Sequence, residues 1–512
     1  MTDLFVYDED YFVVADDAGA RPTTFRRVPA SNLSSLPALA RVTLPASNGT
    51  DDTAALNAVL AAYTGLIAGR PGQNYLLSDP LIVRSNTTLD MTGCTITMKP
   101  GNVKNHVRNS AANSASRNAN IRIIGGIWDR GANIGGEATG AVGSAVGSHM
   151  LFFDGVDNLE VGNLTCLSTA GKYAIAPQDV DGCWVHDIDL DVYSDGVHVN
   201  GPAYSVVVER IHGSTGDDAV AFGVREGTLY QAYSYGDGPI RGFTIRDIQT
   251  TSEEVIVKLF GEDYELSDGI IERISGSAAG SCGVWITGVE MGRDIIVRHV
   301  TVDAADTAAV QVSTSTITGR LDISHAGHRG PGAGTAVWLQ ANIEKVSLSN
   351  IGPAPSSYIA CTDGTYGTIT VEDCRMDVSS TNNIFGTFTT SVAPTIAALY
   401  MARCYRDGVA YTGFLMNSGA NAAKVVLSDC IARRCLQGIR VAAATAATTN
   451  LVMSGCQFEG VQWAQLTGPG TIRVQASGCE LANGITTGGS PIVRPLTLGV
   501  ALDVGGTGVT AG

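Results

Sequence analysis

The chain is 512 residues long, with 61 glycines and only 16% Asp, Glu, Lys and Arg, a composition poor in helix-forming charge and suited to many short strands joined by glycine turns. A formal net charge of -16 repels nucleic-acid backbones and anionic membranes, so no nucleic acid is expected as a partner, whereas a neutral or basic glycan is compatible and a locally basic groove would still take an acidic one. The 11 cysteines, an odd number without a CxxC, fit buried reduced thiols rather than a disulfide framework or a zinc site, so no metal and no cofactor are expected.

Residues 1–44 carry Phe5-Val6-Tyr7 and Tyr11-Phe12-Val13-Val14 among acids and read as a separate arm for attachment or oligomer contact. The start, Met1-Thr2-Asp3-Leu4, has neither the basic segment nor the apolar core of a signal peptide, and no run of some 18 apolar residues follows, so Sec export and membrane insertion are not expected. Gly49-Thr50-Asp51-Asp52-Thr53 and the alanine- and leucine-rich stretch after it predict a helix over about 52–64, with a polar N-cap and acids in its first turn, placed to cover the open end of a repeat array.

From residue 45 to about 480 a station recurs at intervals of roughly 23 to 37 residues, the mark of a solenoid. It reads His186-Asp187-Ile188, Glu209-Arg210-Ile211, Arg246-Asp247-Ile248 and Ser349-Asn350-Ile351, with a weak instance near Ile323-Ser324-His325. The last five stations, from Glu372-Asp373-Cys374 to Ser477-Gly478-Cys479, end in Cys, which predicts a stacked column of thiols inside the coil. The count is roughly 13 to 15 coils, a rod on the order of 70 Å at the sheet spacing, and residues 481–512 follow as a tail or cap. Two insertions interrupt it: Gly131 to Gly147, rich in Gly, Ala and Ser, as a flap, and Arg225 to Gly238, whose Tyr230 and Tyr233 suit either sugar stacking or a subunit contact.

The chemistry lies in two acidic segments one coil apart, Ser194-Asp195-Gly196-Val197-His198 and Thr215-Gly216-Asp217-Asp218-Ala219-Val220. Strand alternation turns Val197, Val220, Val257 and Val284 inward and stacks His198, Ala221, Lys258, Trp285, Gln311 and Trp338 on the outside as a sugar-binding line. In this register Asp195 lies over Asp218, and Asp217 falls beside them with Glu254 above. Glycosidic hydrolysis needs one protonated carboxyl and one carboxylate, and acids this close cannot all ionise at neutral pH. Gly-Asp-Asp alone is equally turn chemistry; the stacked Asp195 and the outer column favour catalysis.

These residues resemble the pectate-lyase-like right-handed parallel β-helix superfamily, and the acids resemble polygalacturonase-type glycoside hydrolases. Asp51-Asp52-Thr53-Ala54-Ala55-Leu56 is similar to the start of many bacteriophage tailspike depolymerases, Gly125-Gly126-Ile127-Trp128-Asp129 to their Gly-Gly-Thr-Trp-Asp turn, Ser194-Asp195-Gly196 to Asn-Thr-Asp-Gly, and Gly216-Asp217-Asp218 to the Asp-Asp motif. The resemblance implies a right-handed parallel β-helix, Asp217 as general acid, Asp195 and Asp218 orienting the water of an inverting displacement, Lys258 as a substrate ligand, and a homotrimer on a virion, joined to other tail proteins through residues 1–44, or an extracellular location. His198 is a candidate substrate contact by alternation. The family's Gly-His-Gly has no counterpart between Asp218 and Lys258, and Ile256 replaces the arginine of Arg-Ile-Lys, which puts galacturonate in doubt as substrate.

The leading expectation is therefore an endo-acting polysaccharide hydrolase. A non-catalytic carbohydrate-binding fibre and a polysaccharide lyase are the alternatives. The lyase would call for a base with a basic partner and often calcium, for which these three acids are suitable oxygen ligands.

Overall fold

The computed structural model describes residues 4–7, 11–14, 41–102, 104–112, 116–131, 149–225, 237–304, 307–330, 334–354, 358–376, 384–388, 394–407, 412–415, 421–442, 448–467, 471–481, 485–488 and 492–494. They fall into two compact units, Met1–Val42 and Thr43–Gly512. In the first, strands Leu4–Tyr7 and Tyr11–Val14 form an antiparallel hairpin, pairing Leu4 with Val14 and Tyr7 with Tyr11.

The second unit is a parallel β-solenoid of about 13 turns. Each coil pairs in parallel with the next: Ile175–Val192 with Val197–Thr215, then Ile240–Ser252, Glu265–Ala278 and Met291–Ala304. The repeating station is the coil's corner, and its middle residue is left-handed in coil after coil. The φ values are 56° at Asn163, 54° at Asp187 and Arg210, 56° at Asp247, 55° at Arg273 and His299, and 53° at Asn350. This backbone costs an L-residue about 1 kcal/mol, least for Asn, Asp and Gly. Where Arg or His occupies it, the side chains of adjacent corners brace one another. Arg210 Nε donates to Asp187 Oδ1 at 2.7 Å and Arg273 Nε to Asp247 Oδ1 at 2.6 Å, while His299 and His325 stack with ring centroids 4.5 Å apart. At the weak station the left-handed residue is His325, with φ 53°, so the corner is Ser324-His325-Ala326, one position later than the triplet read from the sequence.

Inside the coil, Ile175, Val197, Val220, Val257, Val284, Val310 and Val337 stand in register and have no solvent exposure. Each is worth about 1.5–3 kcal/mol relative to an exposed side chain. A shift of one residue would turn the whole ladder outward, so burial fixes the register. The cysteine column forms as expected. Cys374, Cys404, Cys430 and Cys456 are buried and Cys479 is half-buried, and each thiol donates to the carbonyl two residues earlier.

A helix forms over Thr53–Ala62 and buries Leu56 and Leu60. Its start differs from the expectation: the first turn holds no acid, and Asp52 makes no side-chain cap. The Asp52 carboxylate is occupied elsewhere, accepting from Ser47 Oγ, Asn48 N and Leu76 N, which ties the helix entry to the first coil. Asn57 does the same one turn on, giving Nδ2 to Pro80 O and taking Ile82 N on Oδ1. No helix among the described residues is long and apolar enough to cross a membrane.

Candidate active site

Two tight corners carry the acids. Gly196 N donates to Asp218 O at 3.0 Å, Ala174 N to Asp195 O at 3.0 Å and Ala219 N to Val255 O at 3.0 Å, so Asp195 sits directly over Asp218 as the register predicts. Glycine is required in both corners because the coils approach too closely for a side chain. A Cβ on Gly196 would lie 2.5 Å from Ala219 O, and one on Gly216 would lie 2.1 Å from Tyr193 O. Thr215 Oγ1 at 2.9 Å and Ser252 Oγ at 2.5 Å both donate to Asp217 O, fixing the backbone that presents its carboxyl.

The three acids occupy different environments. Asp217 is the accessible one, its side chain 31% exposed. Burial, then the charges of Asp195 and Asp218, push its carboxyl from the ordinary 3.8 up to about 7, against the pull of Lys172 and Lys258. Asp218 is buried, and burial followed by the Asp195 charge raises it to about 6 although Lys258 Nζ donates to its Oδ2 at 2.9 Å. Asp218 Oδ1 has no hydrogen-bond partner among the described residues. Asp195 is equally buried and would be pushed up by that burial. The hydrogen bond and charge of His198, with Lys172 and Lys258 behind them, outweigh it and hold the carboxyl below its usual range. One acid that keeps a proton near neutrality thus adjoins one that stays ionised, the division of labour acid–base chemistry needs.

The outer column is in the predicted register: His198, Ala221, Lys258, Trp285, Gln311 and Trp338 pair rung by rung. It is not the open line expected. His198, Ala221 and Gln311 are buried, and Lys258, Trp285 and Trp338 are half-buried. Alternation sets the direction of a side chain, not what lies over it. His198 is covered by the rings of Tyr173 and Phe260, and the indole nitrogens of Trp285 and Trp338 are turned to Ser313 Oγ and Thr362 Oγ1 on the next coil. Lys258 Nζ lies 5.6 Å from the ring centroids of both Phe260 and Trp285. Glu254 is exposed, its backbone N–H held by Ser252 Oγ at 3.1 Å. Tyr230 and Tyr233, and the expected flap beyond Gly131, lie outside the described residues.

Lys172 escaped the sequence reading. It is buried, with Nζ 3.9 Å from Asp217 Oδ2 and 5.0 Å from the Tyr173 ring centroid. The signal was present: Ile175 pairs with Val197 and Val197 with Val220, so counting back three residues sets Lys172 in one column with Ser194 and Asp217. Tyr193 is 43% exposed at the same corner.

No family model matches this chain, and no curated protein sequence matches it. Among solved structures it is similar to a double mutant of the tailspike protein of E. coli bacteriophage HK620 in complex with pentasaccharide, at 14% identity and TM-score 0.45 over 89% of this chain and 79% of that one. A second double mutant of that tailspike matches at 14% identity and TM-score 0.43, over 79% of this chain and 78% of that one. The family 28 exopolygalacturonase of Yersinia enterocolitica matches at 13% identity and TM-score 0.40, over 78% of this chain and 82% of that one.

Proposed function

We propose that this protein hydrolyses a polysaccharide, with Asp217 as general acid and the Asp195–Asp218 pair as the base that directs water. The observation that carries this reading is the gathering of three carboxylates and two lysines at one corner of the coil, with the accessible acid shifted up to about 7 and its neighbour Asp195 shifted down. Asp217 gives its proton to the glycosidic oxygen as that bond breaks. The carboxylate pair takes a proton from the water that attacks the anomeric carbon, inverting its configuration. Lys258 and the buried Lys172 hold the acids apart in charge, and the half-buried Lys258 offers its cation to the sugar's oxygens. Trp285, Glu254, Tyr230 and Tyr233 are assigned to the flanking sugar contacts. Residues 1–44 are assigned to attachment on a phage-like particle and to subunit contact in a homotrimer.

A second reading, a glycan-binding fibre without catalysis, is favoured by the near-complete burial of Asp195 and Asp218, 2% and 3% exposed. Incubating the native protein with a panel of cell-envelope and capsular polysaccharides separates the two. New reducing ends support the hydrolase, binding without cleavage supports the fibre, and unsaturated products absorbing in the near ultraviolet would mark a lyase.

A further inference from the structure

His198 ends a buried stack of rings that runs across three successive coils. His149 and Tyr173 lie parallel, with centroids 4.6 Å apart and planes 5° apart; Tyr173 and His198 follow at 3.7 Å and 14°. Phe152 leans on His149 at 5.8 Å, and Phe260 meets the imidazole edge-on at 5.7 Å and 79°. All but Phe260 are at most 3% exposed. A ring held on its face and its edge has no freedom to turn about χ2, so the direction of its Nδ1 is fixed by packing. That nitrogen lies 2.5 Å from Asp195 Oδ2. Asp195 Oδ1 takes a second hydrogen bond, from Ser194 Oγ at 3.3 Å.

We infer that His198 is a positioning residue for the hydrolysis proposed above: the ring stack aims its Nδ1–H at Asp195 and keeps that carboxylate oriented as the base. A donor to each oxygen favours the anion. The pairing also fixes the tautomer, because an imidazole facing a carboxylate must carry its proton on the facing nitrogen. His198 is 3% exposed beneath Tyr173 and Phe260, which leaves no imidazole edge for a sugar, so it acts through Asp195 and not on the glycan. The inference rests on the hydrolase reading.

Two variants and one spectrum test it. His198→Phe keeps a ring in the stack and removes the donor; His198→Asn keeps a donor near the Nδ1 position and loses the ring. His198→Phe is expected to lower kcat about 10-fold or more, part of the contribution typical of a general base, with KM within about twofold, and His198→Asn to recover part of the loss. The proton spectrum of the native full-length protein is expected to hold an imidazole N–H resonance far downfield of the amides, absent from both His198→Phe and Asp195→Asn. A raised KM with unchanged kcat would make His198 a substrate contact and overturn the inference. So would a downfield resonance that is absent, or that survives His198→Phe, whatever the activity. A native protein that shows the resonance yet cleaves no glycan contradicts the hydrolase reading and leaves the His198–Asp195 pairing supported.

Discussion

Lys258 Nζ donates to Asp218 Oδ2 at 2.9 Å from the neighbouring coil, and this is the one hydrogen bond that the Asp218 carboxylate receives among the described residues. The contact joins two coils at a carboxylate that burial pushes toward its neutral form. Lys258→Met leaves a buried acid with a partner on neither oxygen. Stability is expected to fall by about 1.5–3 kcal/mol, the range for a lost hydrogen bond to a charged group. Because Lys258 lowers the Asp218 pKa, its removal moves that titration upward from about 6, which denaturation at fixed pH and a pH–activity profile would both register.

The pH dependence of stability has a definite sign. Asp217 binds its proton more tightly when folded, about 7 against an ordinary 3.8, so its contribution is most favourable at low pH and is lost as pH rises from about 4 to about 7. Asp217→Asn removes that slope. The melting temperature of the variant minus that of the native protein is expected to be larger at pH 8 than at pH 4.5, the lost contact with Lys172 offsetting part of the gain. Carboxyls held below their usual range, such as Asp187 and Asp247 beside Arg210 and Arg273, act oppositely, and their stabilisation disappears only as pH falls below about 4. A difference that grows toward acid would refute the assignment.

Gly216→Ala is expected to damage the site through the backbone. Its Cβ would lie 2.1 Å from Tyr193 O and 2.8 Å from the Tyr193 carbonyl carbon, neither of which yields as a side chain does. Overpacking of this kind costs about 1–3 kcal/mol, and the corner that shifts carries Asp217. Thermal unfolding and sugar release should both decline in this variant, with sugar release declining further than the stability loss explains.

At the corners, Asn350 is exposed with φ 53°. Asn350→Gly is expected to stay within about 0.5 kcal/mol of the native protein, whereas Asn350→Val, β-branched in the left-handed region, should cost about 1–2 kcal/mol. Equal effects in chemical denaturation would show that backbone conformation is not what selects this column.

Most of the architecture was legible because a solenoid repeats one local problem. Each corner needs a residue that tolerates positive φ and each rung needs an inward β-branched side chain, so Asp187, Arg210, Asp247 and Val197, Val220, Val257 announce themselves at coil spacing. The same spacing was enough to set Asp195 over Asp218. Exposure was not legible, because what covers a side chain comes from another coil. His198 follows the outward alternation and is nonetheless sealed by Tyr173, 25 residues earlier, and by Phe260. The helix start failed for a related reason: Asp52 looks like a cap, but Leu76 N and Ser47 Oγ claim its carboxylate.

The activity profile offers a further check. Since hydrolysis needs Asp217 protonated, cleavage should fall as pH rises through about 7. A rate that climbs steadily across that range would assign the acid to another group.

The most direct test is sugar release by Asp217→Asn beside the native protein on the same polysaccharide. Asparagine keeps the shape of the side chain and cannot give up the proton, so the rate should drop by about 100-fold or more while the affinity for the glycan stays within a few-fold. A variant that cleaves as fast as the native protein would show that the accessible acid at this corner is not the one that breaks the bond.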